Sequence, residues 1–264
     1  DAPPPAGPAP LDHPGLHAGD AKAAMEALLK ALEAAPTDPQ VPLVITELRQ
    51  VWELVPGGPK TCADRLQAVL QKMGPHHLQD DVLAALAELS RMQGDIDAVK
   101  RIQTARGFVR EFLVTGAFGV APSASLDEAF EPELAAAERE FDARARFTAL
   151  RGDAGWIPVT VETPDTTVQV GRAATAPGAV TYALAHVEVP SAVDGWLVYT
   201  GPSARIWLNR ALATVIDRSR ERLDQELRIP VRFAAGLNRI LVKLGDGRGA
   251  RFTLRLADER GAPL

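Results

Sequence analysis

A single cysteine, no extended apolar run and no surplus of basic residues exclude several kinds of protein. Cys62 stands alone among 264 residues, so no internal disulfide can form and no cysteine-based zinc or redox motif can be assembled. Nowhere do apolar residues continue for the roughly 20 positions that cross a bilayer, and no signal-peptide core is visible. Acids outnumber bases, 34 Asp and Glu against 29 Lys and Arg, for a formal charge of -5. No stretch gathers enough positive charge to neutralise phosphates, so a nucleic-acid partner is not expected. There is no Gly-x-Ser-x-Gly elbow, no Walker loop and no Asp-x-Asp-x-Asp-Gly calcium loop.

What the chain does contain changes character partway along. Its length exceeds the usual single core of about 100 to 150 residues, and its two halves follow different hydrophobic periods. Residues 1–19 open on Asp1-Ala-Pro-Pro-Pro-Ala-Gly-Pro-Ala-Pro10, a Pro/Ala tract that cannot build a core and reads as a flexible linker. Such an opening suits a trimmed precursor or an engineered boundary. Residues 20–107 read as helices. Met25, Leu28, Leu29 and Leu32 recur at helical spacing, and Pro36 ends the pattern. Asp38 before Pro39 predicts an N-cap ahead of a stripe running from Val41 to Val55. Leu66, Val69, Leu70 and Met73 mark a third helix that Gly74-Pro75 stops. Val82, Leu83, Leu86, Leu89 and Met92 mark a fourth, and Ile96, Val99 and Ile102 a fifth. Helices with such short breaks stack as antiparallel hairpins. The turn Gly94-Asp95-Ile-Asp-Ala98 resembles that of tetratricopeptide repeats, although no clean repeat of about 34 residues is visible.

From Phe108 the period shortens to 2. Phe108–Phe118 reads as a first strand, and an irregular arm follows from Gly119 to about Ala149, with a helical run near Leu134 to Arg144. Strands are predicted around residues 155–161, 179–189, 195–200, 204–209, 230–233, 239–244 and 251–256, each alternating apolar and polar positions. The expected fold is multidomain α and β: a TPR-like helical array over 20–107, then an antiparallel β-sandwich of jelly-roll type over 108–264.

The order of phrases in the second half resembles galactose-binding-like jelly-roll domains. The likeness rests on Gly116-x-Phe118, Phe130-Glu-Pro-Glu133, Gly195–Thr200 leading into Trp207-Leu-Asn209, and Gly236-Leu-Asn238 with Leu241-Val-Lys243. It looks most like the sandwich that follows a helical region in large bacterial envelope proteins whose later part carries a transglutaminase-like domain. Such relatives usually read Trp-Leu-Asn-Gly, where this chain has Arg210. The resemblance implies a glycan- or protein-binding module of the periplasm or cell exterior, without the transglutaminase activity, whose segment is not seen here. It also leaves open an accessory N-terminal fragment of a larger transglutaminase-like or glycoside-processing enzyme.

Candidate sites are correspondingly of the binding type. Asp127, Glu128, Glu131 and Glu133 offer hard oxygens that could hold Ca2+, or they are solvated loop carboxylates. Arg205, Asn209 and Arg210 at strand ends, with Trp196, are the expected ligand contacts. Trp207, between Ile206 and Leu208, is expected in the core. His76 and His77 stand before a first turn in which Asp80 and Asp81 face the positive end of a helix. Cys62 is expected to be inert, and Gly245-Asp-Gly-Arg-Gly249 to be a hairpin turn rather than a phosphate cradle. No nucleophile stands beside an activating base, so no enzymatic activity is expected.

Overall fold

The computed structural model describes residues 19–120, 122–137, 141–162, 166–170, 176, 178–217, 226–245 and 251–264. The chain forms two compact units that divide between Ile102 and Gln103.

The first unit is helical. Helix α1 (Ala21–Ala34) starts where the Asp20 side chain accepts from the Ala23 N–H at 3.0 Å. Helix α2 (Val41–Val51) continues into the 3-10 turn Trp52–Leu54, and α3 (Gly58–Met73), α4 (Gln79–Met92) and α5 (Ile96–Ala105) follow. Asp38 caps a turn earlier than its sequence position predicts. Its carboxylate accepts from the Gln40 N–H at 2.8 Å, and the helix begins only at Val41, with Pro42 rather than Pro39 in its first turn. Asp95 caps α5 through the Ala98 N–H at 2.9 Å. Helix α1 packs on α2 and α3, and α4 on α2 and α3. Their stripes meet in one apolar cluster around the fully buried Trp52, Leu48 and Leu66. Alternate helices begin about 37 residues apart, at Ala21 and Gly58, Val41 and Gln79, and Gly58 and Ile96, a longer step than the tetratricopeptide period of about 34. Arg65 of α3 ties this packing together. It donates to Glu33 at 2.6 and 2.7 Å and to Glu26 at 2.7 Å, both on α1.

The second unit is built on two antiparallel sheets. Strands β1 (Glu111–Phe118), β4 (Ile157–Thr160), β6 (Val180–Val189), β8 (Ala204–Leu208), β9 (Ala211–Ile216) and β11 (Gly236–Leu244) form one, in the order β4-β1-β6-β11-β8-β9. Strands β5 (Val168–Gln169), β7 (Val193–Thr200), β10 (Leu227–Phe233) and β12 (Arg251–Asp258) form the other, in the order β10-β7-β12-β5. From β4 onward the chain passes from sheet to sheet at every step except the β8–β9 hairpin. Each sheet therefore contributes one apolar face to a shared core, since side chains alternate along a strand. Phe112, Ala185, Ile206, Ile240 and Val242 from the larger sheet meet Leu197, Tyr199, Phe252 and Leu254 from the smaller. The Phe112 and Phe252 rings meet edge to face at 5.3 Å, and the buried Tyr199 hydroxyl donates to the Pro202 carbonyl at 2.8 Å.

The hairpin turn expected over residues 245–249 falls, after Gly245, outside the described residues; the strands on either side, β11 and β12, belong to different sheets. The arm after β1 is also more ordered than its sequence predicts. It contains α6 (Pro122–Asp127), α7 (Glu131–Ala137) and a small hairpin of β2 (Arg146–Ala149) with β3 (Gly152–Gly155). Gly119 begins the arm at φ 69°, where a Cβ would stand 2.2 Å from the Ser125 Oγ.

Candidate functional site

The arm lies over the outer face of the larger sheet, and strand register divides that face into three zones. Tyr182, Lys243 and Arg205 stand side by side across β6, β11 and β8; Leu184, Leu241 and Trp207 form the next row; His186 and Arg239 form the third.

The first zone is closed and ionic. Lys243 is fully buried, and its Nζ donates to the Glu128 carbonyl and to Glu133 Oε2 at 3.2 Å. The Tyr182 hydroxyl donates to the same carboxylate oxygen at 3.0 Å. The Phe130 and Tyr182 rings lie 5.2 and 5.6 Å from the ammonium. Burial pushes the Lys243 pKa below its usual value, against the pull of Glu133, and burial with the Glu133 charge holds the Tyr182 phenol far above its own. Beside them Arg205 pairs with Asp127, and Glu131 accepts from the Thr148 N–H at 2.9 Å.

The four acids, read from sequence either as cation ligands or as solvated loop carboxylates, are directed to separate partners. Asp127 meets an arginine, Glu133 a lysine and a tyrosine, and Glu131 a backbone N–H, while Glu128 contributes its carbonyl. Among the described residues no group of three or more His, Cys, Asp or Glu side chains is placed to hold a metal ion. Arg205, expected as a ligand contact, is likewise engaged within the fold.

The second zone is apolar. Leu184 and Leu241 pack with Phe118 and Phe147, and Trp156 and Trp207 lie partly buried against them. Trp207 is therefore not in the core between the sheets, which Ile206 and Leu208 enter instead. A run apolar at every position conceals this, because both faces of the strand are covered, by the other sheet and by the arm.

The third zone is open. His186, Asn209, Arg210, Leu237 and Arg239 surround a cleft of about 290 Å³. The Phe141 ring stands at its edge, 5.1 Å from the His186 ring and 5.5 Å from the Arg239 guanidinium. Burial, then the Arg239 charge, holds the His186 pKa below its ordinary value; burial, then Arg210, lowers that of Arg239. Among the described residues lining the cleft there is no carboxylate.

The β8–β9 turn completes this cleft. Leu208 pairs with Ala211, leaving Asn209 and Arg210 as a two-residue loop with φ of 51° and 90°. Two left-handed residues are what a type I′ hairpin needs, and glycine is favoured at the second. The tight turn survives with Arg210 there, at the strain of a bulky residue in left-handed space. Asn209 serves the turn itself. Its Nδ2 donates to Asn238 Oδ1 and its Oδ1 accepts from the Arg239 N–H, both at 2.8 Å. Asn209 is thereby a positioning residue, and Arg210 projects from the turn it fixes.

A second cleft, of about 580 Å³, lies beside the hairpin of the arm. Gly116, Arg144, Arg146, Asp153, Trp156 and Ile157 are among its walls. Phe141 lies 5.8 Å from the Trp156 ring and so touches a wall of each cleft. Trp196, the remaining expected contact, is on the smaller sheet. It lines a separate cleft with Pro230 and the ion pair of Asp194 with Arg232, and its indole N–H donates to the Glu259 carbonyl at 3.4 Å.

In the helical unit, Cys62 is fully buried and its thiol is pushed up to about 11 by burial, which leaves it protonated and unreactive. The His76 and His77 rings lie 4.3 Å apart before α4, whose first turn carries Asp80 and Asp81.

No family model and no curated protein matches the chain. Among solved structures, partial likeness is found to a family 35 carbohydrate-binding module from an environmental isolate, with 16% identity, TM-score 0.26, and 33% of this chain and 72% of that one covered. A family 35 module from Clostridium thermocellum has 16% identity, TM-score 0.27, and coverage of 36% and 80%. A β-glucosidase from Kluyveromyces marxianus in complex with glucose has 16% identity and TM-score 0.28 over 31% of this chain, which spans only 10% of that enzyme. Likeness at this level identifies neither a family nor a function.

Proposed function

We propose that this chain is a non-catalytic recognition protein of the bacterial cell envelope, in which a jelly-roll sandwich binds glycan through the open end of its larger sheet. The observation that carries the reading is the cleft of His186, Arg210, Leu237 and Arg239 beside the Phe141 ring. Guanidinium groups supply planar, multiple donors for sugar oxygens, and a ring edge with an exposed leucine supplies apolar surface for the sugar's C–H faces. Its two principal donors sit on a paired strand and a tight turn rather than a long loop, so little ordering accompanies binding. The cleft's described lining offers no carboxylate pair or activated nucleophile, which supports binding without turnover. In the same reading the helical unit is a TPR-like array that engages protein.

The test is a glycan array followed by calorimetric titration of the purified chain. A glycan ligand whose affinity falls about tenfold in Arg210→Ala, the worth of one charge-assisted hydrogen bond, supports the reading. Absence of any glycan ligand, or hydrolysis of the bound glycan, overturns it.

A further inference from the structure

Building on that recognition reading, we infer that the Arg210/Arg239 cleft and the Trp156 cleft are two halves of one elongated site for an acidic oligosaccharide, joined across Phe141. Three observations carry this. Phe141 touches His186, in the wall of one cleft, and Trp156, in the wall of the other, so a single ring contacts a wall residue of each opening. Each cleft is shallow and partly open, and each combines apolar surface with side-chain donors: Leu237 with Arg210 and Arg239 in one, the half-buried Trp156 with Arg144 and Arg146 in the other. Charge is the third. The chain as a whole is acidic, at -5, yet the described residues lining the two clefts include four arginines and one acid, Asp153.

A positive patch on a negative protein favours an anionic ligand, since it is the arginine-lined region that draws opposite charge. A neutral sugar would need paired donors and acceptors for its hydroxyls, and the Arg210/Arg239 cleft supplies chiefly donors. Carboxylate or sulfate groups along a glycan fit such a donor-rich wall, and guanidinium forks match the geometry of both. A single-stranded nucleic acid is also anionic, but it is held by rows of stacking aromatics. The two clefts offer Trp156 and the edge-on Phe141, with arginines grouped at each end rather than along a track.

The probe is a series of galacturonate oligomers of increasing length, with carboxyl-reduced and sulfated counterparts and a single-stranded oligonucleotide as further arms. Affinity is expected to rise with length until both clefts are filled, and to be lost on carboxyl reduction; the sulfated arm shows which anion is preferred. An Arg144→Ala/Arg146→Ala double variant should weaken the longer oligomers about tenfold and leave the shortest bound ligand unchanged, because only the second cleft is altered. Both side chains are exposed, so the fold is expected to survive, and an unchanged melting temperature checks this. Binding of the shortest oligomer without any gain from length, or an unaffected double variant, overturns the elongated site and leaves the first cleft standing. Equal affinity for reduced and acidic forms overturns the acidic assignment, tighter binding of the oligonucleotide overturns the carbohydrate assignment, and no binding in any arm overturns the recognition reading itself.

Discussion

Along β11 the inward side chains Ile240, Val242 and Leu244 meet apolar partners from the facing sheet, whereas the outward ones change from the buried Lys243 through Leu241 to Arg239 and the exposed Leu237. The inner face asks only for volume and apolarity, so swaps of similar size should be tolerated. The outer face asks for particular partners. Lys243 can be buried only because Glu133 and the Glu128 carbonyl come to it on the arm, and an unpaired charge there would be expensive. The same nine-residue strand therefore anchors the sandwich on one side and, on the other, holds the arm closed at one end and lines the cleft with Arg239 and Leu237 at the other.

Breaking the ionic end should cause the largest effect. Lys243→Ala strands the Glu133 carboxylate and leaves a void, and is expected to cost about 3–5 kcal/mol, the loss seen when one partner of a buried pair is removed. On the opposite face of the same strand Ile240→Val should cost only about 0.5–1.5 kcal/mol. Urea unfolding of the two variants measures the contrast. If Ile240→Val were the costlier, the arm would not be held by its ions.

The apolar middle zone sharpens the comparison. Trp207 is packed but only partly buried, so Trp207→Ala should cost about 2–3 kcal/mol, below the ~3–5 kcal/mol of a fully enclosed indole. A loss at or above that upper range would place Trp207 energetically with the inner core, and the faces would no longer differ at this row.

At the open end the sign should reverse. Arg210→Gly relieves a left-handed residue at φ 90° and is expected to stabilise the protein by about 1 kcal/mol. Glycan affinity should fall in the same variant, since the side chain that leaves is the one the turn presents. A variant both less stable and equally able to bind would show that Arg210 serves the hairpin rather than the cleft.

The inner face was readable from sequence and the outer face was not. Period-2 alternation places β1, β6, β7, β8, β10, β11 and β12 close to their observed bounds, because burial on one side leaves that signature. It misses β9, whose Ala211–Ile216 is nearly all apolar, and the short β2, β3 and β5. It puts Trp207 in the core because a strand covered on both faces loses its alternation. Asn209 and Arg210 were identifiable as strand-end polar residues. Their neighbours in the cleft, His186 and Arg239 with the Phe141 ring beside them, come from three other segments, and cross-strand pairing, which brings His186 opposite Arg239, is set by register rather than by local pattern. The acidic run of Asp127, Glu128, Glu131 and Glu133 shows the converse. Composition suggests a cation site, but the lysine and arginine that claim two of its carboxylates lie on distant strands.

The smallest expected effect is the titration of His186, and it reports on the open zone most directly. The groups around this ring are Arg239 on the facing strand, Arg210 in the turn, Glu188 two residues along its own strand and the Phe141 ring on the arm. Burial and then Arg239 hold its pKa below the ordinary 6.5. The folded protein therefore binds this proton more weakly than the unfolded chain does, so the associated stability is complete above the unfolded pKa and is lost as pH falls through the folded one. Proton NMR of the ring C2–H should give an apparent pKa under 6.5 in the free protein. Arg239→Gln should raise it only partway, since burial remains the larger cause. A saturating acidic oligosaccharide should raise it further in the wild type, because an anion in the cleft offsets the arginines. A pKa that ignores both Arg239 and the ligand would place His186 outside the field of the cleft, and the contrast between a closed ionic end and an open cationic one would then rest on Arg210 and Arg239 alone.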